Sequence, residues 1–198
     1  IKNQNRAEPR EFGRLLQDIV GIETIINRVV VHSSIDSQLI WINETKNRYE
    51  IENIIIVGGE SSDIKYPGPS VNDALLKFSK ANNYEFTDIF FGGITIPSRI
   101  DESERVIKKS KNGSEFFTTQ VIYESSKIMK MISQYEKKCN QLNTFPRRIL
   151  LSFAPVSSQK NIEFLKWLGV EIPKNTEQYL NGRPGTMTDR SLDVAIEI

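Results

Sequence analysis

Five short runs of β-branched and aromatic residues recur along the chain at near-even intervals, and they limit the fold more than any other feature. They are Arg28-Val-Val-Val-His32, Asn53-Ile-Ile-Ile-Val-Gly58, Asp88-Ile-Phe-Phe-Gly-Gly93, Glu115-Phe-Phe-Thr-Thr-Gln120 and Arg148-Ile-Leu-Leu-Ser-Phe153. Each is nearly continuous in apolar character instead of alternating, the pattern of strands in a parallel sheet covered on both faces.

Amphipathic segments lie between them. Phe12, Leu15, Leu16 and Ile19 follow the i, i+3, i+4, i+7 spacing, with Pro9 suited to a first helical turn. Val71, Ala74, Leu75 and Phe78 repeat it behind Ser70, an N-cap candidate with Asp73 three residues on. Ile128, Met131, Ile132 and Tyr135 do so after Ser125; Ile162, Leu165 and Leu168 follow Ser157 or Ser158, with Gly169 placed to end the helix. Trp41 and Trp167 fall in helical patterns and are expected to pack on neighbouring elements.

Strand starts at 28, 53, 88, 115 and 148 are 25, 35, 27 and 33 residues apart. A (β/α)8 barrel of about 250 residues uses about 31 per unit. An open doubly wound sheet has units of similar length. The Gly and polar residues gathered at the strands' C-terminal ends, where a barrel carries its active site, favour the barrel. The expectation is an α/β chain, a (β/α)8 TIM barrel of which about five strands are present, with residues 1–198 forming a single domain. The chain opens at Ile1 and closes in the helix-like Asp193-Val-Ala-Ile-Glu-Ile198, so it reads as part of a longer barrel.

Composition narrows the function classes. The 26 basic and 25 acidic side chains nearly cancel, which argues against nucleic acid or a membrane surface held by general electrostatics. No apolar run approaches the roughly 18–20 residues that span a bilayer. A single cysteine, Cys139, and a single histidine, His32, leave no intramolecular disulfide and no Cys- or His-rich metal cluster. A cytoplasmic protein without a structural metal is expected.

Chemistry is then sought at the strand ends. Gly58 and Gly59 permit close approach of a ligand to the backbone, and Glu60 follows with a carboxylate; a βα turn with a solvated acid is the plainer alternative. Gly92 and Gly93 suggest approach of something flat or relief of crowding inside a barrel, and Arg99 is suited to an anion. Gln120 carries an amide that donates and accepts at once, which suits a heterocycle with alternating N–H and C=O groups, although a Gln in a loop is most often only a surface residue. His32 ends an apolar strand, where a hydrogen-bonded structural role competes with that of a base. Lys108 and Lys109 read first as a solvated helix face, and Cys139 as a spectator thiol.

The order Gly-Gly-Glu60, then Gly92-Gly93 with Pro97, then Asn112-Gly-Ser-Glu-Phe-Phe-Thr-Thr-Gln-Val-Ile-Tyr123, resembles the methylenetetrahydrofolate reductase family. So do Ile149-Leu-Leu-Ser-Phe-Ala-Pro-Val-Ser-Ser158 and Gly169-Val-Glu-Ile-Pro173; the likeness covers roughly residues 8–198. It implies an eight-stranded barrel that binds FAD and a folate at the strands' C-terminal ends, with the five strands seen here as its third to seventh. It places the pterin-contacting glutamine on Gln120 and the acid near the flavin's pyrimidine end on Glu60. Flavin contacts fall on Gly58, Gly59, Gly92 and Gly93, with His32 assigned beside them; the basic pair near the cofactor's phosphates falls on Lys108 and Lys109. The chain departs from the family pattern in having Gly58 for its Arg, Glu60 for its Asp, and Ile94-Thr-Ile-Pro97 for its aromatic and histidine residues.

The implied activity is flavin-mediated hydride transfer to a methylene-tetrahydropterin in one-carbon and methionine metabolism, with FAD (FMN or no flavin being the alternatives) and with Glu60 as the catalytic carboxylate. The competing expectations are a barrel that binds a pterin or a partner protein without turnover, and a flavin-free methyl-transfer barrel. The expected partner is a reduced folate or related pterin, with homo-oligomerisation left open.

Overall fold

The computed structural model describes residues 8–59, 64–82, 88–182 and 187–198. Its first helix, α1 (Pro9–Val20), begins as the letters suggest: Pro9 occupies the first turn, where a missing N–H costs nothing, and the Glu8 carboxylate accepts from the N–H groups of Arg10 and Glu11. Gly21, at φ 71°, closes it and returns its N–H to the Gln17 carbonyl. Strand and helix then alternate: β1 (Ile25–Val29), α2 (Ile35–Tyr49), β2 (Asn53–Val57), α3 (Val71–Asn82), β3 (Phe90–Thr95) and α4 (Glu102–Lys111). After these come β4 (Phe116–Val121), α5 (Ser126–Gln141), β5 (Arg148–Ser152), α6 (Gln159–Trp167), α7 (Lys174–Leu180) and α8 (Met187–Glu197).

The five strands take the order β1-β2-β3-β4-β5 in one sheet, and β1 with β2 and β2 with β3 run parallel. A doubly wound sheet reverses its order at a switch point, whereas a barrel lays each new strand beside the last. The unbroken order is that of a partial (β/α)8 barrel. The chain divides into two compact units, residues 1–94 with 108–117, and residues 95–107 with 118–198.

In the first unit, register sets the core. Ile26 lies beside Ile54, and Ile54 beside Phe91, so one row of the sheet turns inward together, where Ile42, Leu75 and Phe78 from the helices complete a buried cluster. The adjacent row, Ile25 beside Asn53 beside Phe90, leaves Ile25 and Phe90 exposed, while two residues on along the same face Ile55 and its neighbour Gly92 are buried, so the expected cover of that face is met only in part. Helix α1 also departs from its apolar stripe: Phe12, Leu15 and Ile19 are exposed, and Arg10 and Gly13 are buried instead. Gly13 is packed tightly, since a Cβ there would stand 3.0 Å from Ile51 Cδ1 and its neighbours would have to give by a few tenths of an ångström. The Arg10 guanidinium lies 4.8 Å from the ring centroids of both Trp41 and Tyr49 and pairs with Glu8 and Glu44. Cation–π stacking and ion pairing thus anchor the helix on the side opposite its apolar stripe. Trp41 packs as expected, with Arg28 4.4 Å from its ring.

The second unit has its own cluster of Tyr123, Val156, Ile162, Leu165, Val170, Leu180 and Val194. Trp167 is not part of it; 78% exposed, it stacks on Phe164 one helical turn back. Among the described residues no helix is long and apolar enough to cross a membrane.

Candidate functional site

In the first unit, the positions singled out from the letters are met by the chain's own side chains; Gly58 and Gly59 follow β2, but Gly92 and Gly93 lie inside β3 and not, as the letters suggest, at its end. A Cβ on Gly59 would come within 2.2 Å of the Tyr66 ring, and that ring stands edge-on to His32, 5.4 Å between centroids. Tyr66 is held there by the turn that follows it: the Gly68 N–H donates to the Val31 carbonyl at 2.8 Å, with room for hydrogen alone against Ser33 and Val30. A Cβ on Gly58 would stand 3.2 Å from Val71, and one on Gly92 2.5 Å from the Phe116 ring. On Gly93 it would meet Ser114 at 3.0 Å and Phe117 at 3.1 Å. The Lys109 ammonium donates to the Ile94 carbonyl, while Lys108 is exposed. Glu60 lies outside the described residues. Along the direction a side chain would take, what approaches each of these glycines is protein.

The groove that collects polar chemistry is in the second unit. It is lined by residues 96–98 and 120–124 with Lys127, Gly169 and Glu171. Gln120 enters it from the end of β4, which is continuous from Phe116 and places alternate residues on one face. The Gln120 amide oxygen accepts from the Val121 N–H at 3.0 Å, and its nitrogen donates to the Leu168 carbonyl at a long 3.3 Å. One lone pair and one N–H of that amide remain for a ligand. Gly169, at φ 80°, turns the chain out of α6 beside it, a conformation that costs a side chain strain.

Charge is concentrated on the opposite wall. The Lys127 ammonium pairs with Glu171 and, at 3.4 Å, with Glu124. Lys127 holds the Glu171 carboxyl below its ordinary range, with a hydrogen bond from Ser98 adding to the effect; Glu171 in turn raises Lys127. Tyr123 closes the floor: its hydroxyl donates to the Ala154 carbonyl, and burial pushes it up to about 12. The wall formed by residues 96–98 is tied down from behind, because Ile96 N–H donates to the Glu102 carboxylate at 3.0 Å.

The expected site residues thus fall in both units. His32 and Gly59 meet through Tyr66; Gln120 lies in a groove with Ser98, Lys127 and Glu171, none of which the letters single out. Glu171 stands in the Val-Glu-Ile-Pro segment and Ser98 in the Ile-Pro-Ser turn, so both motifs were visible but not their convergence. Among the described residues there is no group of His, Cys, Asp and Glu side chains arranged to hold a metal ion.

No protein-family model matches the chain, and no curated protein does either. Solved structures do. An uncharacterized protein from Clostridium thermocellum, which binds two copies of 5-methyl-5,6,7,8-tetrahydrofolic acid, is similar over 92% of this chain and 84% of its own, at 20% identity and a TM-score of 0.53. A GH113 β-1,4-mannanase aligns over 96% of this chain and 78% of its own, at 13% identity and a TM-score of 0.38. The first likeness supports the fold; the second is too distant to add to it.

Proposed function

We propose that this chain binds a reduced folate, with the pterin seated in the groove at the end of β4 and Gln120 pairing with its edge. The observation that carries this is the Gln120 amide, which lines a mostly apolar groove and is held to the protein by one long bond from its nitrogen, at 3.3 Å. A pterin edge offers adjacent N–H and C=O groups, which an amide matches with both of its atoms. The Clostridium thermocellum protein of similar fold, which binds 5-methyl-tetrahydrofolate, adds support. Titration of the purified protein with 5-methyl-tetrahydrofolate by calorimetry tests it, and absence of heat at millimolar ligand with folded protein rejects it.

Reduction of a methylene-pterin by a bound flavin, with Glu60 as the catalytic carboxylate, is the finer activity that the sequence resemblance implies. Tyr66 over Gly59 and Phe116 against Gly92 weigh against it, since they fill the side of each glycine that a Cβ would take and leave a flavin only the other sides. A flavin-free reading, whether binding without turnover or methyl transfer, is the one these contacts favour. The flavin absorbance of the purified protein separates the two.

A further inference from the structure

Glu102 sits in the first turn of α4 with 1% of its side chain exposed, yet among the described residues one carboxylate oxygen has no hydrogen-bond partner. Its nearest cation, the Arg105 guanidinium, is 4.0 Å from that oxygen and largely in solvent. The hydroxyl of Thr95, fully buried at the end of β3, is also without a partner among the described residues. A buried carboxylate this poorly compensated is costly in a packed interior. Its other oxygen makes one bond, to the N–H of Ile96, the first residue beyond the strand. There the chain turns, with the Arg99 N–H returning to the Ile96 carbonyl at 3.0 Å, and residues 96–98 become the wall that faces Gln120 across the groove. Ser98, at the far end of that wall, lines the same groove as Glu171.

We infer that Glu102 is a positioning residue for the ligand groove: its carboxylate fixes the Ile96 N–H, and through it the wall that a ligand on Gln120 must touch. The inference rests on the folate reading above. It makes reach, and not charge, the property that matters at position 102. A carboxylate brought one methylene closer to the backbone no longer meets Ile96, whereas an amide of the same length does.

The test compares Glu102→Gln with Glu102→Asp for affinity toward 5-methyl-tetrahydrofolate and for melting temperature. Glu102→Gln keeps the acceptor and is expected to bind within about threefold of the parent. Glu102→Asp keeps the charge but withdraws the acceptor, and is expected to bind about tenfold more weakly, within the roughly 5- to 150-fold that an unpaired buried N–H represents. A parent that binds no reduced folate rejects the folate reading and this inference with it. A parent that binds, with both variants matching it or with Gln weaker than Asp, overturns the inference alone. Should Glu102→Asp fail to fold, hydrogen exchange at the Ile96 amide of Glu102→Gln decides: protection as in the parent supports the inference, and exchange as fast as an open loop overturns it.

Discussion

The Tyr66 ring lies directly over the Cα of Gly59, close enough that a Cβ there would meet it at 2.2 Å. A glycine after an apolar strand leaves space, and here the chain fills that space with its own aromatic side chain, set edge-on to His32. Overpacking of this kind costs about 1–3 kcal/mol when the neighbours cannot move. Gly59→Ala is therefore expected to lower stability by about 1 kcal/mol or more, and Tyr66→Ala to relieve most of that cost in the double variant. Denaturant unfolding of the two single variants and the double gives the coupling energy. Simple additivity would mean that the ring swings away freely and does not depend on the glycine.

Gln120→Ala is expected to weaken 5-methyl-tetrahydrofolate binding roughly 5- to 150-fold, because polar pterin atoms then lose their partner in a desolvated groove. Its effect on the melting temperature is expected to be small, since the side chain gives the fold only a long bond to Leu168 and a local one to Val121. Gln120→Glu removes the donor and sets a carboxylate against the Leu168 carbonyl, so it is expected to be worse than Ala in both respects. Parallel calorimetry and thermal melts check this. A Gln120→Ala variant that melts early but binds as the parent does would make Gln120 a packing residue.

Tyr123 gives the protein a signature in alkali. Burial raises its folded-state value from 10 to about 12. Above pH 10 the unfolded chain loses this proton while the folded chain keeps it, so stability falls as pH rises from about 10 toward 12. Tyr123→Phe removes the titration together with the hydrogen bond to Ala154; it is expected to be about 1 kcal/mol less stable at neutral pH and to show a shallower alkaline decline. Melting temperatures from pH 8 to 12 for parent and variant measure both effects. Identical slopes would place the alkaline sensitivity elsewhere.

What the letters reveal and what they hide divides along the range of the interactions. Strand starts are legible to within three residues because an unbroken apolar run is a local property. The Ser70 and Ser158 caps are legible for the same reason: each accepts the N–H three residues on, from Asp73 and from Asn161. Ser125 is not a side-chain cap, because its backbone is already helical, at φ −84° and ψ −24°. Helix α7 gives no period to read, since Leu180 is its single buried residue. The inward face of α1 is hidden because an arginine, stacked on two rings contributed by α2, takes the place of an apolar anchor. Gln120 is legible as an amide at a strand end, but its surroundings are not: Glu171 lies 51 positions away, and Glu102 acts through a main-chain N–H that no residue letter records.

The ion pair across the groove predicts an acid limb. Lys127, and after it Ser98, hold Glu171 below the ordinary carboxylate value of 4.5. A depressed folded-state value means that the stabilisation is fully present above pH 4.5 and is lost as pH falls through the folded value. The contribution is modest, about 0–1 kcal/mol, because Glu171 and Lys127 are both about half exposed and salt screens them. Glu171→Gln keeps an acceptor for Ser98 and leaves Lys127 paired with Glu124, so it is expected to lose under about 1 kcal/mol at pH 7 and almost nothing at pH 3. The parent's melting temperature is accordingly expected to fall more steeply than the variant's between pH 5 and 3, and the gap between them at pH 7 to shrink in 1 M salt. A gap that persists unchanged at pH 3 and in high salt would show that Glu171 acts through packing and not through its charge.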